Sequence, residues 1–471
     1  MHILMNRFFI NALLLLAAAT LLPSCLNSND DETTVYDDAA ITAFSLTSSL
    51  RSVTTTSSTG ADSIYSVTDA TVANYPFRID QANGLIYNPD SLPYGIKPTK
   101  LLCSYSTLNN GVVYIEDALG TIQNLFYTTD STDFTTPRNL TVKSTSGNVS
   151  RTYKVTVNIH QQKADDFSWT AATMPDEIAA LNHVKLMELN NTVYLFGQSG
   201  TKTVVYTSPV SDGNTWNAVS TNLTLGADAY KNMALYGGKF YVLDGSTLLS
   251  SADAATWNAV NTVSHVSRLL GASSTQLYAL GQVNGNDTIL TSEDAGMSWT
   301  PDSMIDAASS LPAEDISFSC ISYPYGSNAE YLMLSGNRSS AIYGSDSTAV
   351  VWHKILTTEN GKQTGAWINH EFTYVSHYPL YHQADLCVIP YGDSYLAVGG
   401  TPQNTSAAGA YKSIYLSRDY GLTWKDNTTY SVPASVSDAI LFADSTNRLW
   451  FFSRSAKKVW RGRLAKLTWA N

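Results

Sequence analysis

From about residue 40 the chain is written in short apolar runs, and no 3.6-residue periodicity persists after residue 25. In the stretch 133–159, Leu140 and Val142 alternate with Thr141 and Lys143. Tyr153, Val155 and Val157 alternate in the same way with Lys154, Thr156 and Asn158. Such alternation predicts strands with one buried face, here a closing hairpin across Ser146-Gly147. Further turn signals at Asn83-Gly84 and Asn110-Gly111 punctuate the Ser/Thr-rich strands before it. After Asp166 a different pattern takes over, an aromatic strand that often ends in Gly. It reads TVYLFGQSG at 192–200, KFYVLDGS at 239–246, QLYALGQ at 276–282, EYLMLSGN at 330–337, SYLAVGG at 394–400 and RLWFFSRS at 448–455. Six recurrences predict six copies of one supersecondary unit.

A second motif recurs between these strands. Ser-x-Asp-x-Gly-x-x-Trp is complete at Ser292, Asp294, Gly296, Trp299 and at Ser417, Asp419, Gly421, Trp424. Degraded copies read Asp212, Gly213, Trp216; Ser251, Asp253, Trp257; and Ser345, Asp346, Trp352. In a hairpin turn the Asp carboxylate can accept backbone N–H groups. The Gly supplies a positive φ, and the Trp offers a large surface to bury. These are folding roles. The tryptophans lie 41, 42, 53 and 72 residues apart, and the shorter spacings suit one four-stranded propeller blade. The motif resembles the Asp-box, and the aromatic-Gly strands together with the VWRGRL ending at 459–464 resemble kelch repeats. The expected fold is therefore all-β: a small β-sandwich over 40–160, then a six-bladed β-propeller over 166–471, with seven blades as the alternative. The segment FSWTAATMP at 167–175 resembles the strand that follows each box, and is expected to complete the last blade and close the ring. None of the ten tryptophans falls in 40–160, so a shift of composition also marks the domain boundary.

The first 25 residues differ from all of this. Arg7 precedes an apolar run, Phe8 to Ala19, too short to span a bilayer. The run ends in Leu22-Pro23-Ser24-Cys25, which resembles a bacterial lipobox. The resemblance implies a signal peptide over 1–24, acylation of Cys25, and a tether over 25–39. An incidental Cys after an ordinary secretory signal is the alternative. Asp30, Asp31 and Glu32 resemble the export signal of Bacteroidetes surface lipoproteins, or form a solvated charge run. Seven Asp-Ser/Thr-x tripeptides, from Asp62-Ser63-Ile64 to Asp444-Ser445-Thr446, resemble the O-glycosylation signal of the same group. With its N-terminal immunoglobulin-like module, the whole is similar to an uncharacterised family of Bacteroidetes outer-membrane lipoproteins. That likeness implies a lipid-anchored protein at the outer membrane, on either face.

Charge narrows the partners. Charged residues make up 14% of the chain, and the net charge is −11, which argues against nucleic acid. After Cys25 only Cys103, Cys320 and Cys387 remain, which is neither a disulfide framework nor a zinc pattern. Cys320 and Cys387 stand at equivalent points of successive repeats and read as small buried hydrophobes, with a bridge as the other reading. No cofactor and no metal is expected.

The 72-residue gap carries an insertion, about 357–383, and a long connection of this kind is often functional. Three of the eight histidines, His370, His377 and His382, fall there in thirteen residues, beside Trp367, Glu371, Tyr378 and Tyr381. Aromatic platforms with polar edges suit a glycan or peptide. These seven residues are the candidate ligand site; the alternative is a plug whose aromatics are core. A metal held by the histidines with Glu371 or Asp385 matches no known ligand spacing. Sialidases also carry Asp-boxes, but their resemblance implies three arginines on a carboxylate. The propeller offers Arg268, Arg338, Arg418, Arg448, Arg454, Arg461 and Arg463, with the last four crowded into one repeat. The expectation is a non-catalytic module binding a glycan or a protein, with a carbohydrate-active hydrolase as the alternative.

Overall fold

The computed structural model describes residues 34–468, apart from 57–59, 61, 118–119, 121–122, 326–327, 360–361, 372–377, 401, 405–413, 428, 435 and 437. The leader, Cys25, Asp30 to Glu32 and His377 lie outside the described residues. The chain divides into two compact units, 1–163 and 164–471. Both are built from strands, and no helix among the described residues is long and apolar enough to cross a membrane.

Unit 1 packs two sheets on one core. The first sheet is Asp62–Asp69, Ile41–Thr56 and Ile96–Thr107, in that order. The second runs Arg78–Asp80, Leu85–Tyr87, Ser150–Thr156, Arg138–Lys143, Val112–Glu116 and Gln123–Leu125. Leu85–Tyr87 and Ser150–Thr156 pair in parallel, and all other neighbours are antiparallel. The expected hairpin is present, with Leu140, Val142, Tyr153 and Val155 completely buried. They meet Ile41, Leu46, Leu101 and Cys103 from the other sheet. Gly84 turns the chain at φ +64°, where a Cβ would stand 2.8 Å from the Thr152 carbonyl oxygen.

Unit 2 is a succession of six sheets, each with a path of four strands. Their first strands are Val184–Leu189, Met233–Tyr236, Val266–Ala272, Glu314–Ser322, Cys387–Tyr391 and Ile440–Ala443. In the first five sheets the strands follow chain order. In the sixth, the outer strand is Trp169–Thr173, which pairs antiparallel with Lys458–Gly462. The segment expected to close the ring thus does so. Six apolar clusters join the sheets, each shared by consecutive sheets, and one joins the last to the first through Trp450, Phe452, Val184 and Leu195. Because each sheet has a neighbour on both faces, second strands such as Ser394–Val398 and Leu449–Ser453 are buried at every position. Their sequences accordingly lack alternation.

Four Asp-box copies sit in the turn between third and fourth strands of the first, second, third and fifth sheets. In the complete copies Ser292 and Ser417 hydroxyls donate to Asp294 and Asp419 at 2.8 Å, and accept Gly296 and Gly421 N–H at 2.8 Å. In all four, the Trp indole N–H donates to the carbonyl three residues earlier, at 2.9 to 3.2 Å. The boxes also face the preceding sheet. Trp216, Trp257, Trp299 and Trp424 each pack into the cluster shared with it. A Cβ on Gly296 would stand 2.1 Å from Leu248, one sheet back. The second copy places Ala254 at φ +58° where the others use Gly.

The fifth copy is not a box. Asp346 precedes the third strand of its sheet and accepts a bidentate pair from Arg338 at 2.8 Å. Trp352 lies within that strand, completely buried, with its N–H on the Ser310 carbonyl. An Asp followed by Trp six residues later therefore reflects an ion pair and a core residue, not a turn. Cys103, Cys320 and Cys387 are free: Cys320 donates to Glu330, and Cys387 faces the Leu441 carbonyl.

Candidate functional site

Within each sheet the first and third strands run the same way. The turns between third and fourth strands, which hold the boxes, therefore lie at one end of unit 2. The starts of the first strands lie at the other. A cavity of about 460 Å³ opens among those starts. All six sheets contribute, with the second represented by Tyr230 and Lys231 just before its first strand. Its volume falls within the roughly 300–1,000 Å³ range of small-molecule sites.

Charge in the cavity is divided. Lys185, Lys231 and Arg268 come from the first three sheets; Glu314, Asp315, Asp385 and Asp438 come from the last three, with Arg454 beside Asp438. Asp438 is engaged by Arg454 at 3.8 Å and by the Ser453 and Ser455 hydroxyls at 2.7 and 2.6 Å. Burial raises the Asp438 carboxyl, but the bonds from Ser455 and Ser453 outweigh it and leave it below the usual range. Asp315 stands at φ +51° and accepts Asn337 Nδ2 at 2.9 Å. Burial pushes its carboxyl up to about 6 against that bond, and the neighbouring Asp385 and Glu314 charges add to the rise. Lys185 donates to the Met233 carbonyl at 2.8 Å. Burial, and then the charge of Arg268, bring its ammonium down to about 7. Tyr230 stacks on His183 with centroids 5.8 Å apart, and Phe318 and Phe442 complete the wall.

The insertion at 357–383 is placed differently from the expectation. It leaves the third strand of the fourth sheet at the box end, away from the cavity. Lys362–Thr364 and Ile368–His370 fold back onto that strand as added edges. Trp367 is completely buried against Tyr278 and Phe318, and its N–H donates to Asp302 at 2.8 Å, so it offers no platform. His382 is buried, with Nδ1 2.9 Å from the Asp346 carbonyl. His370 is half-buried in its strand and Glu371 is exposed. Tyr381 is half-buried beside Tyr415, and Tyr378 is exposed under the Lys425 ammonium, 4.4 Å from its ring centre. The six of these residues that are described thus do not gather into one site. Among the described residues no three His, Cys, Asp or Glu are placed to hold a metal ion. The residues that do converge, Lys185, Arg268, Asp315, Asp385 and Asp438, each begin a repeat. In a chain with 14% charged residues, that recurrence was the available signal.

Six sheets joined face to face by shared clusters, with the first strand of the unit completing the last sheet, define a β-propeller. The chain belongs to the DUF6242 family: residues 163–471 match the DUF6242 beta propeller domain, and residues 44–157 match the N-terminal domain of the same family, a domain of unknown function. No curated protein matches the sequence. Among solved structures, an extracellular domain of the one component system BT4673 from B. thetaiotaomicron aligns at 11% identity and TM-score 0.34, covering 74% of this chain and 38% of that one. An α-L-arabinofuranosidase from Fusarium graminearum aligns at 14% identity and TM-score 0.38, covering 62% and 96%. A sialidase from Trypanosoma rangeli aligns at 12% and 0.35, covering 61% and 55%. Resemblances this remote assign no activity.

Proposed function

We propose that this protein is a non-catalytic binding module whose propeller takes a glycan in the central cavity, held at the bacterial outer membrane by a lipid on Cys25. The observation that carries the reading is the cavity itself. It offers aromatic faces at Tyr230 and Phe318 and polar groups from all six sheets, at the end away from the structural boxes. Three of its four carboxylates are already engaged by protein donors: Asp315 by Asn337, Asp438 by Ser453 and Ser455, and Glu314 by Ser340 at 2.8 Å. Side chains tied in this way suit the binding of hydroxyls better than proton transfer. Glycan-array binding by the full chain tests the reading, with Ala313→Trp as the blocking variant. Ala313 lines the cavity from an exposed position, so the indole fills space without breaking a side-chain bond. Binding is expected to vanish in that variant and to persist in Tyr378→Ala. Binding that survives Ala313→Trp would place the ligand elsewhere.

One observation favours the hydrolase alternative. Asp315, with its carboxyl raised to about 6, stands near Asp385, and glycosidases pair a protonated with an ionised carboxyl group. The test is release of nitrophenol from aryl glycosides. Turnover by the full chain that disappears in Asp315→Asn would establish the enzyme; no turnover on any of them retires it.

A further inference from the structure

Of the four cations that line the cavity, Lys185, Lys231, Arg268 and Arg454, two have no ion-pair partner among the described residues. Lys354 is buried and held by both Asp302 carboxylate oxygens at 2.7 Å. Arg461 is buried and donates to the Val210, Ser211 and Asp212 carbonyls. Arg454 has Asp438 and the Leu181 and Asn182 carbonyls, and Lys231 has Asp228 at 2.8 Å. Lys185 and Arg268 have no ion-pair partner among the described residues. Lys185 makes a single hydrogen bond, to a neutral carbonyl. The Arg268 Nε is buried and has no hydrogen-bond partner there. The two are close enough for the charge of Arg268 to depress the Lys185 ammonium further than burial alone does. Like charges held side by side are costly; the charges of Asp228 and Asp315 act on Arg268 and offset part of this, but neither forms an ion pair with it among the described residues. An anionic group bound in this cavity would meet both charges at once. The rest of the cavity does not ask for a second anion. Asp315, Asp385 and Glu314, from the fourth and fifth sheets, accept hydrogen bonds and repel negative charge.

Resting on the glycan reading above, we propose that the cavity selects an acidic sugar, with its single anionic group on Lys185 and Arg268 and its hydroxyls donating to the carboxylates of the fourth and fifth sheets. Carboxylate and sulfate share the chemistry that the two cations recognise. Arginine meets either with a planar fork of N–H donors, and lysine adds a point charge. Calorimetric titration of the full chain with D-glucuronate, N-acetylglucosamine 6-sulfate and D-glucose separates the cases. Both acidic sugars, or one of them, are expected to bind at least tenfold more tightly than glucose, and whichever binds more tightly identifies the anion. Arg268→Gln is expected to cut the acidic-to-neutral affinity ratio at least tenfold. Arg268→Lys, which keeps the charge, is expected to retain part of it and guards against a variant that merely misfolds. Equal binding of glucose and the acidic sugars overturns the proposal and leaves the glycan reading standing. An undiminished ratio in a folded Arg268→Gln protein also overturns it. No binding of any sugar overturns both.

Discussion

At the scale of single residues, the boxes and Asp315 pull carboxylates in opposite directions. Asp294 is held at about 2, first by the Ser298 hydroxyl and then by the Ser298 N–H. Asp253 is lowered mainly by the Thr256 N–H, and Asp212 mainly by Thr215. In Asp419 burial raises the carboxyl, but the Thr423 and Ser417 bonds outweigh it and leave it lowered. A carboxyl depressed by folding stabilises the protein above its unfolded value of about 4 and loses that contribution as pH falls through the folded value. Asp315 works the other way. Raised to about 6, it weakens the fold at neutral pH, and protonation relieves this as pH falls from about 6 to about 4. Stability measured by urea unfolding is therefore expected to rise on acidification to about pH 4 and to fall below it. Asp315→Asn should remove the rise. Asp294→Asn should cost stability at neutral pH, with its difference from the parent shrinking between about pH 4 and pH 2. A parent that weakens steadily from pH 7 downward would contradict the assignment of Asp315.

At the scale of elements, the junction between the last sheet and the first is reinforced by two arginines of the last sheet. Arg454 donates to the Leu181 and Asn182 carbonyls, and Arg461 to those of Val210, Ser211 and Asp212. Arg461 also lies over Trp450, 4.5 Å from the ring centre, against the first box glycine, Gly213. This accounts for the crowding of arginines at the C-terminal end, which made a carboxylate-gripping triad implausible. Arg461→Ala leaves several buried carbonyls without a donor, a loss of about 3 kcal/mol, read as a fall of roughly 5 to 10 °C in melting temperature. Arg461→Lys should recover only a minor part, since one ammonium cannot span the carbonyls. The same scale shows which elements could be read in advance. A box is legible because its bonds are local: Ser to Asp two residues on, Trp to the carbonyl three residues back. The hairpin ending unit 1 is legible because one of its faces alternates. The insertion after Trp352 misled, because clustering in sequence was taken for clustering in space. Trp367 and His382 are both buried, yet they serve different contacts, one on Asp302 and the other on Asp346. Lys185, Arg268, Asp315, Asp385 and Asp438 converge from five sheets, and no local spacing links them.

At the scale of the whole propeller, the ring depends on the segment before its first sheet. Trp169–Thr173 supplies five paired residues to the sixth sheet, and Phe167 and Trp169 join the cluster between the fifth and sixth. Met174 and Ile178, immediately after, join the cluster between the sixth and first. One short segment thus seals both faces of the last sheet. An open stack of sheets would behave as a repeat array, each sheet stabilised only by its neighbours and free to fray from its ends. Closure removes those ends, so residues 164–471 are expected to unfold in one cooperative transition. Beginning the chain at Asp176 instead leaves the sixth sheet with three strands and an unpaired edge along Lys458–Gly462. Calorimetry on the two chains distinguishes the cases. The longer should show a calorimetric enthalpy equal to its van't Hoff value. The shorter should melt over a broader range with a calorimetric enthalpy well above it, and should associate in solution through the exposed edge. A peptide spanning 164–175, added in excess, should pair with that edge and restore the sharp transition, because the strand it replaces contributes by pairing and packing alone. Identical transitions in the two chains would mean that the shared clusters, not the closing strand, hold the ring.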